Sequence, residues 1–173
     1  LDEDTPIYLR RRFAFGLAEQ DRVRYVLEYL SEGDMATALE LARISHYGDF
    51  DHEVEQSELA SLSQLADAGD HRGRLCFLPG GYGRMTPEYD LAVRRVNEYL
   101  IETGGLEAGA VQRLGAGWGG NMGGLINRDY IYGTGRDPFA RFLADELGIE
   151  GPIECCVATP GRGAGLVELP RKY

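Results

Sequence analysis

The sequence predicts an α+β domain, with a helical part over about residues 1–104 and an antiparallel four-stranded sheet over about residues 105–173. Two observations predict it. Apolar residues recur at helical spacing up to residue 104, whereas short apolar segments separated by glycine-rich turns follow Gly105. The predicted order is four helices followed by β-β-α-β-β. A chain of 173 residues has the length of one ordinary domain.

The first two helices are predicted from apolar spacing and from the residues between them. Gly33 suits the position just after a helix, and Asp34 is a residue type that caps the next helix. The buried face of the first helix is predicted as Val23, Val26, Leu27 and Leu30. That of the second is predicted as Met35, Ala38, Leu39 and Ala42. A third, weaker helix is predicted around Leu59, Leu62 and Leu65, ending near Gly69.

The fourth helix has the clearest signals. Thr86 is a capping residue, Pro87 suits the first helical position, and Gly104-Gly105 ends the pattern. The acidic side chains of Glu88 and Asp90 favour the positive end of the helix dipole, so a structural role is expected for both. Its buried stripe is predicted as Tyr89, Ala92, Val93, Val96 and Leu100.

The sequence after Gly105 predicts the strands of the sheet and one more helix. Strands are expected over 110–114 and in the apolar segment that ends at Leu125-Ile126. A short helix follows, capped by Asp137-Pro138 and bearing Phe139, Phe142, Leu143 and Leu147. The continuous apolar run 153–158 predicts a buried strand, and 164–169 predicts a last strand that forms a hairpin with it.

Composition excludes several classes of function. The net charge is −10, and phosphate contacts need clustered basic residues, so no nucleic-acid partner is expected. No apolar run approaches the roughly 18 residues that span a bilayer, and the acidic start is unlike a signal peptide. We therefore expect a cytoplasmic protein without a membrane partner. The first residue is Leu1 rather than Met, which suggests a processed or excised segment.

The cysteines and histidines predict neither a disulfide framework nor a metal site. The three cysteines, Cys76, Cys155 and Cys156, lack a CxxC spacing, and neighbours on a strand point to opposite faces. We expect them to be buried, reduced thiols. The three histidines show no metal-ligand spacing with them, so no metal ligand is predicted.

The segment from Leu114 to Gly124 has the highest glycine density of the chain, with six glycines in its last ten residues. Consecutive backbone N–H groups in such a loop can cradle phosphate oxygens. The alternative is a tight loop between two strands. The segment has no GK[ST], so it is not a P-loop. Gly115, Gly117 and Gly120 satisfy GxGxxG, but no helix start follows them, so a dinucleotide-binding domain is the weakest interpretation.

This glycine segment resembles a signature of the GHMP small-molecule kinases. Leu114–Gly120 is similar to the third signature of their galactokinase-like branch, a loop close to TGAGFGG followed by a strand. Arg11–Val23 resembles the family's helix RRxxHVxxExxRV, and Ser45-His46 matches its SH. Thr86, Pro87, Glu88 and Asp90, within Tyr82–Asp90, match YxxSTPELD. Thr159–Ala164 is similar to the closing xPxxGA hairpin, so the resemblance spans nearly the whole chain.

The chain also departs from that pattern. Leu114 replaces the threonine before the loop, Asn121 replaces the cysteine after it, and residues 47–81 do not follow the family's spacing. The family's first signature, its GLSSSA phosphate loop and its catalytic Asp and Arg are missing. The resemblance therefore implies that residues 1–173 are the C-terminal domain of such a kinase, of the ferredoxin-like fold, inactive without its own N-terminal kinase domain.

The resemblance also implies a function and a set of site residues. The whole enzyme would transfer the γ-phosphate of ATP to a sugar hydroxyl, the anomeric one in galactokinases, with ATP and Mg²⁺ as cofactors. No catalytic residue is expected in this chain. The predicted wall of the cleft is Arg113, Gly115, Ala116, Gly117, Trp118, Gly119 and Gly120. Further substrate contacts are predicted at Tyr82, Arg84 and His46.

Each of these residues also has a plain structural interpretation. Arg113 is equally a solvated arginine at a strand edge. Trp118 is interpreted as a packing residue rather than a sugar platform. For His46, a helix-terminal histidine satisfied by a carbonyl or water is favoured over a substrate contact. Two alternatives to a kinase half stay open: a non-catalytic sensor that binds sugar or nucleotide, and an interaction module that kept the fold without chemistry.

Overall fold

The computed structural model describes residues 9–48, 64, 85–115, 121–145, 147–148 and 157–158. In chain order, its elements are α1 (Leu9–Glu32), α2 (Met35–Gly48), α3 (Pro87–Gly104), β1 (Gly109–Arg113), β2 (Met122–Ile126), α4 (Asp129–Tyr132) and α5 (Arg136–Asp145). Helices and an antiparallel sheet in one chain confirm the α+β class. The predicted third helix near 59–69 lies outside the described residues, apart from residue 64.

Helices α1 and α2 form a hairpin whose turn agrees with the prediction. Gly33 has φ +82°, its N–H donates to the carbonyl of Leu30, and the N–H of Asp34 donates to that of Tyr29. These two bonds define a Schellman motif, which needs a residue in the left-handed region and so favours glycine. The carboxylate of Asp34 then accepts from the N–H of Thr37 at 3.0 Å and caps α2.

The predicted buried face of α1 is wrong for two of its four residues. Val23 and Leu27 are 61% and 64% exposed. The side that α1 buries against α2 bears Phe15, Ala18 and Arg22 instead. The helix has apolar residues on two sides, and spacing alone does not identify the side that meets α2. On α2, Ala38 and Leu39 are buried as predicted, whereas Met35 is exposed.

Helix α3 forms as predicted. The hydroxyl of Thr86 accepts from the N–H of Tyr89 at 3.3 Å, Pro87 opens the helix, and Gly105 follows it with φ +77°. Val93, Val96 and Leu100 are buried against β1 and α5 in the main core. Two polar residues of α3, Asp90 and Asn97, are buried beside them. The apolar pattern does not predict these two residues.

The described sheet has two antiparallel strands. The register runs from Gly109 opposite Ile126 to Arg113 opposite Met122. The first strand lies within one residue of its predicted bounds. Residues 153–156 and 164–169, predicted as further strand, lie outside the described ranges, and Val157 and Ala158 belong to no strand there. A four-stranded sheet therefore stays a prediction.

Side chains from two helices occupy the edge of β1 that faces away from β2. The amide of Asn97 donates to the carbonyl of Val111 at 3.0 Å and accepts from its N–H at 2.8 Å. The guanidinium of Arg43 donates to the carbonyl of Gly109 at 2.8 Å. These backbone groups are the ones that another strand would need on that edge. A strand that paired along this edge of β1 would have to displace these two side chains.

Helices α4 and α5 complete the core. The single turn α4 is too short for the apolar pattern to predict. Helix α5 begins at Arg136, one residue before the predicted Asp137 cap, and buries Phe139. The ring of Tyr99 stacks on that of Phe142 with centroids 4.2 Å apart. Within the described ranges, no helix combines the length and apolarity that crossing a bilayer requires.

Candidate functional site

A polar cavity of about 270 Å³ lies where α1, α2 and the end of β1 meet. It is lined by Phe15, Glu19, Ser45, His46, Gln112, Arg113 and Gly115. Three of these residues, His46, Arg113 and Gly115, are predicted site residues. The others among the predicted site residues, Ala116–Gly120, Tyr82 and Arg84, lie outside the described part of the chain.

The first wall of this cavity is a hydrogen-bonded cluster between α1 and α2. The hydroxyl of Ser45 donates to Glu19 Oε2 at 2.7 Å, and the buried guanidinium of Arg22 pairs with Glu19 Oε1. Arg22 also lies over the ring of Phe15, 5.2 Å from its centroid. Glu19 is thus held in place by a hydroxyl and a guanidinium, and both of its oxygens accept hydrogen bonds.

Behind the second wall, three side chains form a hydrogen-bonded chain between α2 and α3. His46 Nε2 lies 3.2 Å from Asp90 Oδ1, and Arg94 Nε donates to Asp90 Oδ2 at 2.7 Å. A carboxylate accepts hydrogen bonds, so the Nε2 tautomer of neutral His46 is assigned. The imidazole side chain is 0% exposed. This burial makes His46 a structural link between two helices at the cavity wall, rather than a group that presents a polar atom to solvent.

Burial also sets the protonation of His46. Loss of hydration lowers the pKa of His46 below its usual 6.5, and this outweighs the opposite effect of the neighbouring Asp90 carboxylate. The positive charges of Arg94 and Arg113 lower the pKa of the same group further. The histidine is therefore neutral at pH 7. Its Nδ1 is buried and has no hydrogen-bond partner among the described residues.

The third wall is the end of β1, where the glycine segment begins. Gly115 has φ +84°, a left-handed conformation that turns the chain out of the strand. The N–H of Leu114 donates to the carbonyl of Asn121 at 3.0 Å, and the hydroxyl of Tyr89 donates to the same carbonyl at 2.7 Å. These bonds hold Leu114 close to Asn121, on either side of residues 115–120.

The last two glycines of the segment, Gly123 and Gly124, belong to β2, and the strand pairing explains why residue 124 is a glycine. A Cβ built on Gly124 would lie 1.9 Å from the carbonyl oxygen of Ala110. Only glycine allows that approach between the paired strands. Gly124 is therefore required by the strand pairing, and its backbone faces β1 rather than a ligand.

The charged side chains described at and behind the cavity include three arginines and two carboxylates. Arg22 pairs with Glu19 and Arg94 pairs with Asp90, while Arg113 lines the cavity itself. Both carboxylates already pair with arginines. No group of three His, Cys, Asp or Glu residues suits a metal ion in the part of the chain that the structure describes. The residues present suit a phosphate or polyol oxygen, and they do not suit Mg²⁺.

A second cavity, of about 430 Å³, lies between the end of α3 and α4. Its polar side chains bond to one another or to nearby backbone. The Thr103 and Tyr130 hydroxyls are 2.7 Å apart, and Asp129 accepts from the N–H groups of Thr134 and Gly135. None of the predicted site residues that the structure describes lines the second cavity.

Comparison with protein-family models, with curated proteins and with solved structures finds no match for this chain. The resemblance to GHMP kinases therefore depends on the quoted motifs and on how they are arranged in space. Four residues of the cavity are not among the predicted site residues: Phe15, Glu19, Ser45 and Gln112. For Glu19 and Ser45, the position in two of those motifs is the sequence signal that could have found them.

Proposed function

We propose that this chain is the C-terminal part of an ATP-dependent sugar kinase that resembles galactokinases, and that the cavity at Arg113 is one wall of its substrate cleft. One observation supports the proposal above all. Residues from four separate motifs lie in or directly behind one polar cavity: Glu19, Ser45-His46, Asp90 and Gly115. Chance matches scattered over nearly 100 residues of sequence would not be expected to converge in this way.

The cavity would contribute position and charge to phosphoryl transfer. That reaction depends mainly on orientation and on stabilising charge at the transferred group, and ATP with Mg²⁺ supplies the phosphoryl donor. Arg113 would offer a guanidinium to a phosphate oxygen, and the glycine loop that starts at Gly115 would offer backbone N–H groups. Glu19 and Ser45, which are hydrogen-bonded to each other, would hold the wall formed by α1 and α2 in place. The proton-transfer groups would come from outside these residues.

A non-catalytic sensor that binds sugar or nucleotide is the second candidate. It is favoured by the state of the two carboxylates nearest the cavity. Glu19 and Asp90 are each paired with an arginine, so neither is a free general base. The described residues of the cavity could therefore bind a sugar or a nucleotide without supplying a base for phosphoryl transfer. The two candidates differ in whether a sugar causes release of ADP.

The test is sugar-dependent release of ADP from ATP by the complete gene product, measured over a panel of hexoses, pentoses, uronic acids and heptoses. With the preferred sugar, we expect Arg113→Gln to lower kcat/KM by about 10- to 100-fold. Arg95→Gln is the matched control, because Arg95 is an exposed arginine of α3 that pairs with Glu98. We expect it to keep wild-type kinetics.

Two results would contradict the kinase. One is that no sugar stimulates ADP release. The other is that Arg113→Gln behaves like Arg95→Gln. If sugar or ATP raises the melting temperature of the complete product while ADP is not released, the sensor is the better account.

A further inference from the structure

We propose that two copies of this chain pair through α1, in an antiparallel arrangement with a two-fold axis at Gln20. This inference is independent of the proposed kinase function. It starts from a stripe of exposed apolar residues on α1: Phe13, Leu17, Val23 and Leu27. Their exposures are 72%, 52%, 61% and 64%. We call this set the α1 stripe.

The α1 stripe lies on the side of the helix that faces away from α2. At 100° per residue, its four positions fall within about 120° of the helix surface. The residues that α1 buries against α2, Phe15, Ala18 and Arg22, lie on the opposite side. None of the described helices and strands covers the stripe. Exposed large apolar side chains that form a continuous stripe indicate an interaction surface.

The spacing of the stripe is symmetric about Gln20, which is what points to a second copy as the partner. Phe13 and Leu27 are each seven residues from Gln20, and Leu17 and Val23 are each three residues from it. In an antiparallel pair centred there, Phe13 meets Leu27 of the other copy, and Leu17 meets Val23. A two-fold interface needs this self-complementarity, in which each contact occurs twice. A different partner would not require it.

A glycine in the middle of the helix also fits the same register. Gly16 lies level with Arg24 of the other copy, and a Cβ on Gly16 would meet nothing within 4 Å in its own chain. Internal packing therefore does not explain a glycine in the middle of a helix, where it costs about 1 kcal/mol relative to alanine. In the pair, Gly16 leaves room for the long Arg24 side chain.

The charges of α1 are also complementary in this arrangement. An antiparallel pair puts Glu28 and Glu32 of each copy beside the N-terminal end of α1 in the other copy. Acidic side chains are favourable at that positive end of a helix, and the two helix dipoles are set in opposition. Phe15 and Glu19 stay on the far side of α1, so the cavity remains open in the dimer.

The test is sedimentation velocity of the 173-residue chain over about 1 to 500 μM, because a mass-action dimer grows with concentration. We expect the mass to shift from 19.1 kDa towards twice that value. Leu17→Glu should remain monomeric throughout. Leu91→Glu is the matched control, since Leu91 is 57% exposed on α3, and it should dimerise like the wild type. A monomer at every concentration, or the same result for both variants, overturns the proposal.

Cross-linking tests the register. In a chain whose three native cysteines are changed to serine, Gln20→Cys should form a disulfide-linked dimer under mild oxidation. Ser31→Cys is the control, because the two copies of Ser31 would be about 33 Å apart along an antiparallel pair, beyond the roughly 7 Å Cα separation that a disulfide tolerates. Equal cross-linking at both positions, or none at Gln20, overturns the register.

Discussion

At the scale of single residues, the buried polar groups determine how the helices and β1 pack together as much as the apolar core does. His46 and Asp90 link α2 to α3, and Asn97 links α3 to β1 through both backbone groups of Val111. Buried polar groups are expensive unless they are paired, so these contacts fix which surfaces meet. They hold the elements around the cavity, and each can be tested separately.

The first prediction at this scale concerns pH. The pKa of His46 is lowered in the folded chain by burial, whereas in the unfolded chain it is near 6.5. Below about pH 6.5 the unfolded state therefore binds a proton that the folded state resists. The free energy of unfolding should fall with decreasing pH there, by up to about 1.4 kcal/mol per pH unit from this group, until the folded state also takes up the proton.

Urea unfolding of the wild type and of His46→Gln between pH 5 and 8, compared at each pH, checks this. The variant keeps His52 and His71, so the difference between the two curves isolates His46. The two free energies should converge as the pH falls. A difference between wild type and variant that is constant from pH 8 to pH 5 would contradict the assigned neutral state.

The second prediction at this scale concerns Asn97. Asn97→Ala leaves the buried N–H and carbonyl of Val111 without their side-chain partner, and we expect a loss of about 2–4 kcal/mol in the free energy of unfolding. Asn127→Ala is the control, because Asn127 is exposed and its side chain accepts one bond, from the N–H of Asp129. Chemical denaturation should give a loss below about 1 kcal/mol for that control. Equal losses would mean that Asn97 is not a structural link.

At the scale of elements, the glycines of this chain have different roles. Gly124→Ala places a Cβ against the carbonyl of Ala110, and we expect it to destabilise the chain by at least about 2 kcal/mol. Gly16→Ala is the reverse case. Its Cβ meets nothing in the same chain, so better helix propensity should stabilise the monomer by about 0.5–1 kcal/mol. Thermal unfolding at low protein concentration measures both, and a Gly124→Ala chain as stable as the wild type would contradict the strand pairing.

The elements also show what the sequence can and cannot predict. Caps and stops are local, so Gly33, Asp34, Thr86 and Gly105 are predicted correctly. The side of α1 that is buried depends on α2, so Val23 and Leu27 are misassigned. Asp90 and Asn97 are missed because an apolar pattern treats polar residues as exposed. Helix α4 is missed because one turn has no periodicity to detect.

At the scale of the whole molecule, the candidate site is a product of folding rather than of any one segment. Arg113, Gly115 and His46 could be selected from motifs, but their convergence with Glu19 and Ser45 is a tertiary fact. No sequence spacing predicts that residue 19 lies beside residue 45, which it contacts at 2.7 Å. This convergence in one cavity is the observation that supports the proposed function, because each motif taken alone is weak.

The central claim is that these 173 residues form one wall of a cleft whose catalytic groups belong to a preceding part of the same polypeptide. The most direct test is the intact mass of the gene product from its native cells, measured under denaturing conditions so that pairing of copies does not contribute. The account predicts roughly twice 19.1 kDa or more, as for a kinase of two ordinary domains. A mass of 19.1 kDa would contradict it and leave the sensor or a partner-dependent subunit as the better account.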